Sequence, residues 1–140
     1  MSTVLWTHLL VGSEVITDDT DKPALYRHAD RLDRLSRELG LGSFIAACDT
    51  TDLRFTANEF ELPPGVDSTL DVMATDGTWQ PVASAIALLT GLVSDLQRKK
   101  LRFGLLHNEY HEMLAELTDA LAFATGASLP DAQFNFSIVT

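Results

Sequence analysis

Both ends of the chain carry the pattern of a buried β-strand. Residues 3–11 read TVLWTHLLV, with β-forming side chains that are largely apolar on both alternating faces, and Gly12 ends the run. Residues 133–139 read QFNFSIV and alternate, with one apolar face and one polar face: Phe134, Phe136 and Ile138 against Asn135 and Ser137. Two terminal strands in one small domain are expected to share a sheet, which would tie down both chain ends.

Three segments have the periodicity and end signals of long helices. The first is predicted from Pro23 to Leu39, before Gly40, with the acidic run 18–21 (DDTD) as its capping segment. The second is predicted to begin at Pro81 and reach about Lys100, and the third to run from about Asn108 to Thr125. Each has an apolar stripe that predicts packing against a core.

Shorter elements complete the predicted fold. Residues 43–48 are expected to form a short helix, 53–62 a short edge strand, and 101–106 a third strand, while 49–80 is the least certain region. The predicted class is α+β, a single domain over residues 1–140 with three main helices on a small sheet that includes both terminal strands. A mainly helical domain with one terminal hairpin is the alternative.

The second predicted helix carries a stripe of small side chains, namely Ser84, Ala87, Gly91 and Ser94. Small residues at helical spacing let another helix approach closely. The neighbour would be the third helix, through Ala115, Thr118 and Ala122, or a helix of a second copy, so a homodimer is one of the arrangements the stripe allows.

Charge and composition narrow the classes of partner. The formal net charge is −10, which disfavours nucleic acid and anionic membranes as partners. The bases concentrate in residues 27–37 and 98–102, and no Lys or Arg follows Arg102. The start of the chain lacks the basic lead of a signal peptide, and Cys48 is the only cysteine, so a cytoplasmic protein with a buried structural thiol is predicted.

One acidic stripe is the predicted partner-binding surface. Glu109, Glu112, Glu116 and Asp119 recur at i, i+3, i+7 and i+10 along the third predicted helix. A row of carboxylates on one flank would suit a basic protein partner.

The string 107–112, HNEYHE, resembles a metal-binding helix because His107 and His111 are four residues apart. A zinc-protease helix has a glutamate after its first histidine, but here Asn108 takes that place. The helix acids are predicted on the opposite flank, so they cannot complete the ligand set. No metal site and no cofactor are therefore predicted.

Three strings support a resemblance that covers most of the chain: ALYRHADRLDRL at 24–35, GTWQP at 77–81 and FNFS at 134–137. Together they resemble a set of small, acidic, uncharacterised bacterial proteins. The resemblance implies a bacterial cytoplasmic origin and implies no catalytic residues.

Two functional hypotheses follow from these patterns. The first is a non-catalytic interaction or regulatory protein that uses an acidic surface. The alternative is a small metal-dependent enzyme that uses His107 and His111. The first is favoured because the charge segregation is present in the sequence, whereas the common catalytic motifs are missing.

Overall fold

The computed structural model describes residues 2–57, 62, 64–127 and 129–140, with only the backbone described for Thr56 and Ala57. Its strands are β1 (Val4–Val11), β2 (Glu14–Lys22), β3 (Cys48–Asp49), β4 (Gln80–Pro81) and β5 (Gln133–Val139). Its α-helices are α1 (Pro23–Arg27), α2 (Ala29–Glu38), α3 (Thr51–Ala57), α4 (Thr69–Asp76), α5 (Val82–Lys99) and α6 (Tyr110–Thr125). None of these helices is both long enough and apolar enough to cross a bilayer.

The two terminal strands pair with each other, as the sequence predicts. β1 and β5 are antiparallel, in register from Val4 opposite Val139 to Leu10 opposite Gln133. The strand order is β2-β1-β5-β3, with β3 parallel to β5 and β4 also pairing with β5. The predicted α+β class, with both terminal strands in one sheet, is therefore confirmed.

Helices cover both faces of this sheet. The main core lies on the face of Leu5, Leu9, Phe134 and Phe136, which packs with α1, α2, α5 and α6. The opposite face carries Trp6, His8, Asn135 and Ser137, and here α3 contacts β5 while α4 contacts β2. β1 and β5 are therefore buried on both sides, which explains why β1 is apolar on both alternating faces.

The acidic run 18–21 lies in β2, so its prediction as a helix cap is wrong. The β1–β2 register shifts between Leu5 opposite Lys22 and Thr7 opposite Asp18, and the extra β2 residues form a bulge. Asp18 accepts the backbone N–H of Thr20 at 3.1 Å, and its carboxylate lies 3.4 Å from the ammonium of the buried Lys22. Pairing with β1 and this local ion pair thus turn a helix-capping sequence into a strand.

Four further predictions need correction. The first long helix, expected from Pro23 to Leu39, is interrupted at His28 and forms α1 and α2. Residues 51–57 form α3 rather than an edge strand, and residues 58–61 of that predicted strand lie outside the described part. Residues 43–48 contain only a 3₁₀ turn at Ile45–Ala47 before β3. Residues 101–106 form a loop, because Phe103 makes its backbone hydrogen bonds locally, with Asn108 and Glu109, instead of joining the sheet.

The small-residue stripe of α5 does not hold α6. Ser84, Ala87 and Ser94 are exposed, as are the α6 residues expected to contact them: Ala115, Thr118 and Ala122. Gly91 is instead covered by Leu41 from the segment after α2, whose Cδ1 would overlap with a Cβ built on the glycine. The close approach predicted for a helix is made by one leucine side chain.

Gly91→Ala tests this contact by a double-mutant cycle with Leu41→Ala. Alanine improves helix propensity by about 1 kcal/mol, but in the native background its Cβ must displace Leu41. We expect Gly91→Ala to bring no gain in unfolding free energy alone, and a gain of up to about 1 kcal/mol in the Leu41→Ala background. Urea denaturation of the four proteins measures the coupling, and equal effects in the two backgrounds would show that Leu41 does not restrict Gly91.

Candidate functional site

A cavity of about 330 Å³ lies between the second face of the sheet and the helices α3 and α4. Its polar lining is supplied by strands and helices together: His8, Thr17, Asp19, Asp52, Thr69 and Ser137. Its apolar lining consists of Trp6, Leu70, Met73 and Val139. We refer to it as the sheet-face cavity.

His8 is held in one orientation by its neighbour across the strands. Its Nδ1 lies 3.1 Å from Oδ1 of Asn135, whose own Nδ2 donates to the carbonyl of Thr78 at 3.0 Å. Since an amide oxygen only accepts, Nδ1 carries the proton and Nε2 keeps a lone pair. Burial lowers the pKa of His8 below its ordinary value, despite the opposing effects of Asn135, Asp49 and Asp52, so the ring is neutral at neutral pH.

Asp49 anchors the walls of the cavity without lining it. This buried carboxylate accepts the backbone N–H of Thr51 at 3.0 Å and its hydroxyl at 3.1 Å, which caps the start of α3. It also accepts the backbone N–H of Thr78 at 2.8 Å. The helix α3, the segment before β4 and the sheet are thereby fixed to one another.

Asp52 lies in the first turn of α3 and joins the two covering helices. Its Oδ1 accepts a hydrogen bond from the Thr69 hydroxyl, at the first residue of α4, at 3.1 Å. Its second oxygen has no hydrogen bond from the described residues. Asp52 therefore offers a carboxylate oxygen to the cavity while its position is set by Thr69.

Ser137 adds an unsatisfied polar atom. Its Oγ is buried and has no hydrogen-bond partner in the described part of the chain. A buried hydroxyl without a partner is costly, and in native proteins such a group commonly meets a ligand or water. No Lys or Arg is among the described residues that line the cavity, so its charged groups are the carboxylates of Asp19 and Asp52.

The sequence predictions did not include this site. Its signal was present as polar residues within otherwise apolar terminal strands, namely His8 in β1 and Asn135 and Ser137 in β5. The other half of the cavity lining comes from the region 49–80, for which the sequence did not decide whether a binding site is present. The sheet and the packing of α3 and α4 bring these segments together, and neither is readable from local periodicity.

The predicted acidic stripe is partly used within the chain. Glu109 accepts a bidentate hydrogen bond from Arg27 and lies 3.1 Å from Nε2 of His28. Hydrogen bonds from Arg27, together with His28, lower the pKa of Glu109 to about 2 despite its desolvation. This carboxylate therefore serves as an ion-pair partner for α1.

Glu116 of α6 caps the start of α1, although it is far from α1 in the sequence. Its two oxygens accept the backbone N–H groups of Ala24 at 3.3 Å and Leu25 at 3.0 Å. Burial raises the pKa of Glu116 even though these bonds oppose the shift. This contact replaces the cap that the sequence assigned to residues 18–21, and of the stripe only Glu112 and Asp119 are exposed.

The two histidines of HNEYHE do not share a helix face, and the prediction that the acids lie on the opposite flank is wrong for His107, which contacts Glu112. His107 precedes α6, is 75% exposed and has Nε2 3.4 Å from Oε1 of Glu112, whereas His111 packs its ring edge-on against Tyr110. In the described ranges no group of three His, Cys, Asp or Glu side chains is placed to hold a metal ion.

Burial raises the pKa of Cys48 to about 12, with Asp33 and Asp49 adding to the effect, so its thiol is protonated at neutral pH.

No protein family, no curated protein and no solved structure matches the chain. The resemblance to small acidic bacterial proteins therefore stays a prediction.

The contact between Glu109 and α1 predicts a specific pH dependence. Glu109→Gln should lower the free energy of unfolding at neutral pH by about 1 kcal/mol, because a neutral amide loses the charge-assisted bond to Arg27. The Glu109 pKa lies below its ordinary value of 4.5, so the native protein should lose this advantage as pH falls from about 4.5 to about 2. Urea denaturation at several pH values measures both effects.

Glu112→Gln is the matched control, since Glu112 belongs to the same stripe but is exposed and makes no hydrogen bond or ion pair to a described residue of α1. We expect the urea midpoint of the Glu112→Gln protein at neutral pH to equal that of the native protein. Equal destabilisation by the two substitutions would contradict a specific role for Glu109.

The His8 tautomer is a second measurable consequence. Nitrogen NMR of the imidazole should show a protonated Nδ1 and an unprotonated Nε2 at neutral pH, with a titration midpoint below the ordinary histidine value of 6.5. Asn135→Asp keeps an oxygen acceptor but adds a negative charge, so it should raise that midpoint. An Nε2-protonated ring in the native protein would contradict the assigned geometry.

Proposed function

We propose that the protein is a non-catalytic binding protein that takes a positively charged group into the sheet-face cavity. The ligand class is an ammonium or guanidinium group on an aliphatic stem, carried by a basic protein segment or by a small amine. The protein would then be an interaction protein, as the acidic sequence predicts, but its binding site would be the cavity rather than the acidic stripe of α6.

The observation that carries the proposal is the set of acceptors in the cavity. A primary ammonium has three N–H donors, and the cavity lining includes three acceptors, namely the carboxylates of Asp19 and Asp52 and the imidazole of His8, whose Nε2 keeps a lone pair. A buried cation needs such hydrogen-bonded, negatively charged surroundings. An anionic ligand would instead meet two carboxylates without a compensating Lys or Arg in the described lining.

The apolar wall supports an aliphatic stem next to the charge. Leu70, Met73 and Val139 can cover methylene groups, and the ring of Trp6 is a suitable neighbour for a cation. The indole N–H donates to Asp21 at 2.8 Å, outside the lining, which fixes the ring. Lysine-like ligands fit this combination of a charged head and an apolar stem.

The charge of the whole chain supports the same ligand class. At −10 the chain attracts cations over distance and raises their local concentration. This effect is screened by salt within about 8 Å at physiological ionic strength, so the contacts in the cavity must supply the specificity.

NMR titration with n-butylammonium, and with n-butanoate as the anion of similar length, tests the ligand class. We expect butylammonium to shift the resonances of His8 and of the Trp6 indole N–H, and butanoate to leave them unchanged. Asp52→Asn should weaken butylammonium binding about tenfold or more, because a charge-assisted hydrogen bond is lost while the bond from Thr69 can be kept.

Asp71→Asn is the matched control, since Asp71 is an exposed carboxylate on α4 outside the cavity lining. Its effect on binding should be small. Equal binding of butanoate and butylammonium, or equal weakening by both substitutions, would contradict the proposal. A tetralysine peptide in the same titration separates the two sources, because a protein-segment site should bind it more tightly than butylammonium.

A further inference from the structure

The loop between α5 and α6 exposes two adjacent leucines. Leu105 and Leu106 have relative exposures of 95% and 102%, far above the other exposed large apolar side chains of the described chain. Exposing two large apolar side chains side by side is unfavourable in water and marks an interaction site in a native protein. We call Leu105 and Leu106 the leucine knob.

The loop is braced in this shape. Arg102 donates to the carbonyl of Leu105 at 2.9 Å, and the Glu109 N–H donates to the carbonyl of Phe103 at 2.7 Å. Phe103 is buried, with the guanidinium of Arg31 4.5 Å from its ring centroid. Gly104 has φ +102°, and a Cβ there would overlap with the carbonyl oxygen of His107. The backbone is thus held in a geometry that presents the knob.

An uncovered apolar groove of about 280 Å³ lies beside the C-terminal turn of α6, whereas the knob precedes the start of that helix. It runs between the β1–β2 hairpin and the C-terminal turn of α6, with Leu9, Val11, Ile16, Phe123 and Ala127 in its walls. Ile16 is 43% exposed there. The groove has the apolar character that a leucine side chain requires.

Charge separates the two ends in a complementary way. Two bases contact the backbone of the knob loop, Arg31 and Arg102. Three more precede the loop in sequence at the C-terminal end of α5, where Arg98 and Lys99 pair with Asp95 and Lys100 follows the helix. The groove is built from elements whose only base is the buried Lys22 of β2. Its edges carry the exposed acids Glu14, opposite Val11, and Asp119, one helical turn before Phe123.

The knob cannot reach the groove of its own chain. The helix α6 separates them, and its 16 residues span about 24 Å at 1.5 Å per residue. We propose that the leucine knob of one copy inserts into the apolar groove of a second copy. Because the two surfaces differ, the contact is head-to-tail and can repeat. Basic and acidic surroundings then meet around the buried leucines, which steers the association.

Sedimentation velocity of the full chain over a concentration series tests this contact. The native protein should self-associate, and more weakly at high salt. The knob variant, Leu105→Ser with Leu106→Ser, and the groove variant, Ile16→Arg, should each lower the association constant at least about tenfold. Leu129→Ser alters an exposed leucine outside both surfaces and should associate like the native protein. Circular dichroism checks that all four proteins are folded.

Mixing the two variants gives the decisive result. The knob variant keeps its groove and the groove variant keeps its knob, so one productive contact remains and a one-to-one pair that cannot extend should form. A monomeric native protein, dissociation in only one of the two variants, or no pair in the mixture would overturn the proposal. Knob-dependent binding to anionic vesicles by a monomeric native protein would also overturn it and assign the knob to a membrane.

Discussion

The first and last strands of the chain pair antiparallel, and this pair positions every other strand and both layers of helices. From Val4 opposite Val139 to Leu10 opposite Gln133, β1 and β5 form the centre of the sheet. β2 pairs on one side and β3 and β4 on the other, so each other strand is placed by one of these two. Helices cover both faces of this central pair, which makes it the common floor of the main core and of the sheet-face cavity.

Burial of a polar row on the second sheet face creates the candidate site. His8, Asn135 and Ser137 lie between sheet and helices, where each polar atom needs a partner. His8 and Asn135 are hydrogen-bonded to each other, and Asn135 also donates to the carbonyl of Thr78. The network therefore fixes the imidazole, whereas the Ser137 hydroxyl has no hydrogen-bond partner among the described groups. The same low-polarity surroundings that make unpaired groups costly would strengthen the binding of the cation that we propose as the ligand.

Two carboxylates of the acidic stripe that predicts a basic protein partner are used in contacts within the chain. Glu109 and Glu116 are spaced two turns apart and meet the C-terminal arginine and the N-terminal N–H groups of the short α1. A five-residue helix has little stability of its own, so both contacts stabilise it from outside. The basic group expected on a partner protein is, for Glu109, the chain's own Arg27.

Elements whose signals are local could be predicted from the amino-acid sequence. The terminal strands, α5 and α6 follow from apolar periodicity and from end signals such as Pro81 and Gly126. The strand β2 depends on tertiary contacts. Its run of acids suits a helix start, but it forms a strand because β1 pairs with it and Lys22 forms an ion pair with Asp18. Tertiary structure also decided the loop 101–106 and the sheet-face cavity, whose His8, Asp52 and Ser137 are far apart in the chain. Hydrophobic periodicity reports which side of an element is buried, but not which distant segment covers it, and that choice sets both the strand pairing and the site.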